Sequence, residues 1–296
     1  MARVPRILLL CAASLLPLSC GSSGGAPEVL LAPQNAAAAA GQGLAAVDLL
    51  TDRTGLVSVF LGVFEGSSSQ TVPCESGNVS LTLNDLAPEG QLSSGDSATF
   101  LFQACTFTLG EDTVTLNGRF TLRAETVTGA APGPFSIGVS VTFQSLTVTG
   151  PDGLLSVDGG LLLEAGSTDG VEFMTAVSGS RFSAFVQEGG ASKSVTLANF
   201  RLAQQYDEET GGYAGTLDAE ITSSEIGGRI TYATPVPFSG TGPNDPDDGS
   251  FVVTGASGST LNVLVLDEVN VRILVDTDGD GEPEVTIDTT WDELRS

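Results

Sequence analysis

In the stretch VDTDGDGEPEV, residues 275–285, five carboxylates and two glycines fall within nine positions between two apolar runs. Asp276, Asp278 and Asp280 alternate with Thr and Gly, and Glu282 and Glu284 continue the spacing. Alternate carboxylates on a tight arc can converge on a hard cation that takes oxygen ligands, while Gly279 and Gly281 let the chain bend. The competing explanation is a hairpin turn whose acids stay solvated. Repulsion weighs against it, because carboxylates within about 5 Å oppose one another's ionisation unless a cation neutralises them. Asp276, Asp278, Asp280, Glu282 and Glu284 are therefore the candidate ligands, Asp288 is a further one, and calcium is the candidate ion. An affinity in the micromolar to millimolar range is expected of such a module. A second acidic tract, Asp245, Asp247 and Asp248, has irregular spacing and two prolines, which fits a solvated hairpin loop better.

Asp276, Asp278, Asp280 and Gly281 match positions 1, 3, 5 and 6 of an EF-hand loop, but position 12, where a bidentate Glu belongs, is Ile287. Both flanks also read as strands: Val271, Ile273 and Val275 enter, and Val285 and Ile287 leave. The loop thus resembles the Asp-rich calcium turns between strands of secreted bacterial proteins. Other chemistries lack their parts. There is no histidine, so neither a Ser/His/Asp nor a Cys/His nucleophile can be built. Lys193 has no Ser at the spacing of a Ser-x-x-Lys dyad, and the glycine-rich stretches lack the Gly-Lys-Ser/Thr ending of a phosphate loop. Thirty-six acids supply carboxylate pairs by number alone, so pairs are not evidence of glycosidase chemistry. The expectation is a protein that is not an enzyme.

The elements that must position the acidic turn are strands. Alternation with period two buries one face of a strand and leaves the other in water. Val114, Leu116, Phe120, Leu122 and Ala124 share one parity, as do Phe135, Ile137, Val139, Val141 and Phe143. Leu146 and Val148 have the opposite parity to that second set, which predicts a bulge near Gln144 and Ser145. Asn117-Gly118, Asp152-Gly153, Asp158-Gly159 and Gly227-Gly228 read as turns between strands. Two fifteen-residue pieces starting at Thr115 and Ser156 look alike at a 41-residue offset. Two copies are too few for a repeat array, so shared strand and turn chemistry explains them better. The predicted fold class is mainly β: a long antiparallel meander forming a strongly curved sheet, half-barrel or sandwich, in one or two lobes. Ala45, Ala46, Leu49 and Leu50 add a short N-terminal helix. One Trp and three Tyr are too few for the aromatic girdles of a membrane barrel, and the chain ends in Leu294-Arg295-Ser296 rather than an aromatic residue.

At the other end, Arg3 and Arg6 precede an apolar run from Ile7 to Leu18, an export signal too short to span a bilayer. The run closes on Leu18-Ser19-Cys20-Gly21, which resembles the lipobox of bacterial lipoproteins, with Pro17 where that family usually has leucine. The resemblance implies a signal over 1–19 and lipidation of Cys20. It also implies a palmitate-bearing membrane anchor, and Gly21 after the cysteine is compatible with the outer membrane. Acyl chains at about 0.8 kcal/mol per buried methylene would hold the protein without a spanning helix. Residues 20–43 read as a flexible tether and 44–296 as the all-β domain, with a sub-boundary considered near 150–190. Cys11 leaves with the signal and Cys20 is taken by lipid, so Cys74 and Cys105 remain to pair in an oxidising periplasm, contributing about 2–4 kcal/mol. Loss of the signal removes two of eleven basic residues and no acid, taking the formal charge from -25 to -27. Nucleic acid is a poor partner for such a surface and divalent cations are better ones.

The stretch from Gly249 through Leu294, with FLFQACTF and Cys74, is similar to β-rich lipoproteins of Gram-negative bacteria that have no established activity. The functional expectation is a non-enzymatic cell-envelope lipoprotein with a structural or interaction role, its last hairpin firmed by calcium. The alternative is a periplasmic carrier sheltering a lipid or other apolar ligand in a concave sheet.

Overall fold

A computed structural model of the chain describes residues 25–51, 69–86, 92–109, 112–129, 133–151, 153–242 and 244–295. The expected signal and Cys20 lie outside the described residues. Helix α1 (Ala36–Thr51) is followed by β1 (Gln70–Pro73), β2 (Ser76–Asn84), β3 (Ser97–Leu109), β4 (Asp112–Gly129), β5 (Phe135–Gly150), β6 (Gly153–Ser167) and β7 (Glu172–Glu188). Then come β8 (Ala191–Asp207), β9 (Gly212–Ser223), β10 (Gly228–Thr241), β11 (Asp248–Thr254), β12 (Thr260–Val265), β13 (Asn270–Asp276), β14 (Val285–Thr290) and a terminal helix α2 (Trp291–Arg295). The strands form one antiparallel sheet in strict chain order. Among the described residues β1 and β14 each pair with one neighbour, so the sheet is not closed. It is the expected meander, and it runs unbroken through residues 150–190. No described helix is long and apolar enough to cross a membrane.

Alternation places one apolar face inward along the sheet, from Leu122 and Val141 through Phe182, Leu197 and Ile221 to Phe251, Val263 and Ile273, all fully buried. The opposite face carries cross-strand hydroxyl pairs such as Thr99 with Thr121 and Ser183 with Thr196. The sheet curls because several strands bend at bulges. Ser145 has φ 49° and the β5–β6 register slips between Phe143 and Leu146, so the predicted bulge is present. Ala104 and Asn199 are equivalent points in β3 and β8, with φ 48° and 47°. Asn117-Gly118 and Asp158-Gly159 are not the turns expected from sequence; they lie inside β4 and β6 beside these bulges. Asn117 Oδ1 accepts the Ala104 N–H at 2.7 Å, and Asp158 Oδ2 accepts that of Ser145 at 3.0 Å. At Gly118 any Cβ would lie 2.3 Å from the Ser145 carbonyl oxygen, so the following glycine is what lets the bulged strand approach. The 41-residue resemblance is this pairing used twice, in β3–β4 and again in β5–β6.

The tether expectation needs correction over the described part of residues 20–43. Residues 27–31 are stitched to the sheet: Val29 N–H donates to Arg229 O at 3.0 Å, Arg229 N–H to Pro27 O at 2.8 Å, and Leu31 N–H to Ser259 Oγ at 3.0 Å. Ala36, Ala39, Ala40, Ala46 and Leu50 of α1 are buried against β8, β9, β12, β13 and α2. A helix enclosed on several sides needs small residues rather than an apolar stripe, which is why no face was evident in the sequence.

Cys74 and Cys105 meet at disulfide distance, with Cα atoms 5.4 Å apart, tying the β1–β2 turn to β3. Three hairpins close on an aspartate that accepts amides two and three residues on: Asp169 from Val171 and Glu172, Asp207 from Glu209 and Thr210, and Asp267 from Val269 and Asn270. These bonds favour the carboxylate form. Asp169 is held below its usual range chiefly by the Val171 amide, Asp207 by the Thr210 side chain, and Asp267 by the Asn270 side chain. A carboxyl depressed in the folded state contributes stability that is present above its unfolded pKa and lost as pH falls through the folded one. Thermal unfolding followed from neutral pH down through about 4 and below should therefore show a falling midpoint in that acid window. Replacing all three aspartates with asparagine should flatten the decline; an equally steep decline in the triple variant would assign it elsewhere.

Candidate metal centre

The β13–β14 pairing, closed by Val275 opposite Val285, forces residues 277–284 into one compact turn. Asp276 stands at its entry, only 5% exposed. Its two oxygens accept the N–H groups of Gly279 at 2.6 Å and Gly281 at 2.8 Å, so the carboxylate is the hub around which the loop winds. Both glycines have positive φ, 79° and 90°, a conformation other residues adopt at a cost. Asp278 Oδ1 accepts the Asp280 N–H, Asp280 Oδ1 accepts the Glu282 N–H, and Glu284 Oε2 accepts both the N–H and the hydroxyl of Thr277. Each bond turns one carboxylate oxygen toward backbone and fixes the direction of the other.

The outcome is a cluster in which one oxygen each from Asp276, Asp278, Asp280 and Glu284 lies within 4.8 Å of the others. Four of the five ligands expected from sequence are thus brought together. Glu282 is not among them: it supplies its backbone N–H to Asp280. Asp288 is also excluded, because Arg272 holds it through Nε at 2.7 Å and Nη2 at 3.2 Å and keeps its carboxyl below the usual range. An all-oxygen set on a tight turn suits a hard cation, with water and backbone carbonyls available to complete the shell.

In the second acidic tract, Asp245 is not merely solvated, since Arg295 of α2 grips it through both terminal nitrogens. One further feature is not legible in the sequence, a cavity of about 440 Å³ between α1, α2 and the inner face of β7–β10. The aromatic residues Phe173, Tyr206 and Tyr213 lie in three successive strands, and only their cross-strand register, not their spacing in the chain, puts them side by side.

Fold and turn together define an open antiparallel β meander wrapped on a small-residue helix, with an acidic hairpin at its last strand pair. Comparison with family models, curated proteins and solved structures finds no match to this chain.

Proposed function

We propose that the protein is a non-enzymatic lipoprotein of the bacterial cell envelope, anchored in the outer membrane through Cys20, with a structural or interaction role and a C-terminal hairpin firmed by calcium. The observation that carries the metal part is the convergence of Asp276, Asp278, Asp280 and Glu284 on one point. The inner face, closed by its own side chains and by α1, counts against a carrier that shelters a lipid along the length of the sheet.

Calcium that binds the folded state alone adds stability as RT ln(1 + [L]/Kd). With millimolar calcium over a chelator-stripped control, a gain of about 1–2 kcal/mol is expected, seen as a midpoint a few degrees higher. Asp278→Asn with Asp280→Asn should abolish the gain while leaving the stripped protein close to wild type, because both positions are exposed. No calcium-dependent shift, or one that survives the double substitution, would remove calcium from the proposal. The anchor is tested separately by labelled palmitate, which should attach to the wild-type chain and not to Cys20→Ala.

A further inference from the structure

The inner face departs from a closed core at one end of the sheet. Leu202 and Leu217 form the apolar floor of the cavity, Leu44 and Val47 of α1 one wall, and Phe238 and Trp291 another. Above the floor come Thr175 and Gln204, then the aromatic rim, where Phe173 pairs with Tyr206 and Tyr206 with Tyr213. Tyr206 is 44% exposed although it shares the inward parity of the buried Leu202. Its ring is offered to the opening rather than spent on the core. The Tyr213 hydroxyl donates to Asn244 O at 2.8 Å, fixing that side of the rim.

The mouth is acidic. The cavity adjoins a second, shallow depression lined by Asp48, Asn244, Asp245, Glu268, Val269 and Arg295, and the two share Asp48, Asn244, Asp245 and Arg295. Among the described residues three carboxylates thus line the depression beside one guanidinium, which is itself bound to Asp245 and stands 6.0 Å from the Trp291 ring centre. An apolar pocket in the size range of small-molecule sites is common. Here the surrounding charge selects among occupants: an anion such as a fatty acid meets net negative potential at the entrance, whereas an organic cation meets favourable potential and aromatic faces. We infer that this cavity is a binding site for a small cationic amphiphile, an amine whose apolar body lies against Leu202, Leu217 and the aromatic rim and whose ammonium sits in the acidic mouth. The inference goes beyond the anchored, calcium-firmed role and shares no residue with the acidic turn.

Trp291 is the chain's single tryptophan and lines the cavity, so it reports occupancy directly. The full chain is titrated with dansylcadaverine, a primary alkylamine carrying an aromatic dansyl group, and with its carboxylate counterpart N-dansyl-6-aminohexanoic acid, following energy transfer from Trp291. Saturable transfer is expected with the amine and binding weaker by about fivefold or more with the carboxylate, a preference that added salt reduces. Gly215→Leu fills the cavity from its wall, where a Cβ has ordinary room, 3.6 Å from Ala203 O and 3.7 Å from Gln204 Cγ. That variant should lose the transfer. Asp48→Asn with Glu268→Gln, both at exposed positions, should keep binding but erase the preference for the amine, and decides the matter if Gly215→Leu fails to fold. Absence of saturable transfer, equal affinity for the two probes, or a preference unchanged in the charge variant would overturn the inference, and would leave the calcium and anchor tests unaffected.

Discussion

Trp291→Ala is expected to lower the unfolding free energy by about 4 kcal/mol, the cost of removing a large buried aromatic side chain from a site that cannot collapse around the gap. The indole is 1% exposed. It meets Phe238 edge-on with ring centres 5.9 Å apart, and its Nε1 donates to Pro246 O at 3.3 Å. Its backbone N–H donates to Val269 O at 3.1 Å. One side chain therefore joins the start of α2, strand β10 and the β10–β11 loop. Because α2 packs on α1, where the Leu294 carbonyl lies against Gly41, loss of the indole should loosen the inner helix as well. Trp291→Phe keeps an aromatic ring and gives up the bond to Pro246, so its cost should be about 1–2 kcal/mol. Denaturant unfolding followed by circular dichroism measures both, since neither variant retains the tryptophan signal. Equal losses in the two variants would mean that the hydrogen bond, not the packing, is what matters at this position.

The same contrast between local chemistry and packing explains how much of the structure was legible in the sequence. Strands with a clean period two, such as the run Phe135 to Phe143, could be placed because the alternation is caused by burial itself. The parity break at Leu146 revealed its bulge for the same reason. Asn117-Gly118 and Asp158-Gly159 were misplaced as turns because a short acceptor followed by a glycine at positive φ serves a bulge as well as a hairpin. Only the position of the partner strand distinguishes the two uses. In the acidic turn, the alternate aspartates were readable from spacing, yet the choice of Glu284 over Glu282 depends on where the chain re-enters β14. That choice follows from the Val275–Val285 register, which no local pattern encodes. Helix α1 was seen only from its leucine end. Its alanine and glycine half has the composition of a linker, and what makes it a helix is the cavity into which it fits.

That dependence on fit yields the other large expected effect. In an isolated helix, replacing glycine with alanine stabilises by about 1 kcal/mol. At Gly43 the sign should reverse, with Gly43→Ala destabilising by about 3 kcal/mol. A Cβ there would lie 2.0 Å from Tyr232 Cζ and 2.3 Å from its hydroxyl oxygen, well inside contact distance. The ring has nowhere to go: Tyr232 is 2% exposed, stacks on Phe251 with centres 4.6 Å apart, and donates its hydroxyl to Ala40 O at 2.9 Å. Burial also pushes the phenol well above its usual pKa, so it remains a neutral donor across the whole folding range of pH. Ala45→Gly, on the exposed side of the same helix, provides the control and should cost only about 1 kcal/mol, in the direction of propensity. Pairing Gly43→Ala with Tyr232→Ala should be markedly less harmful than the sum of the two, because the second change removes the atoms with which the first collides. Denaturant midpoints of the four proteins in that cycle measure the coupling. A Gly43→Ala variant more stable than wild type would show that helix propensity, and not the passage of α1 across Tyr232, governs this part of the chain.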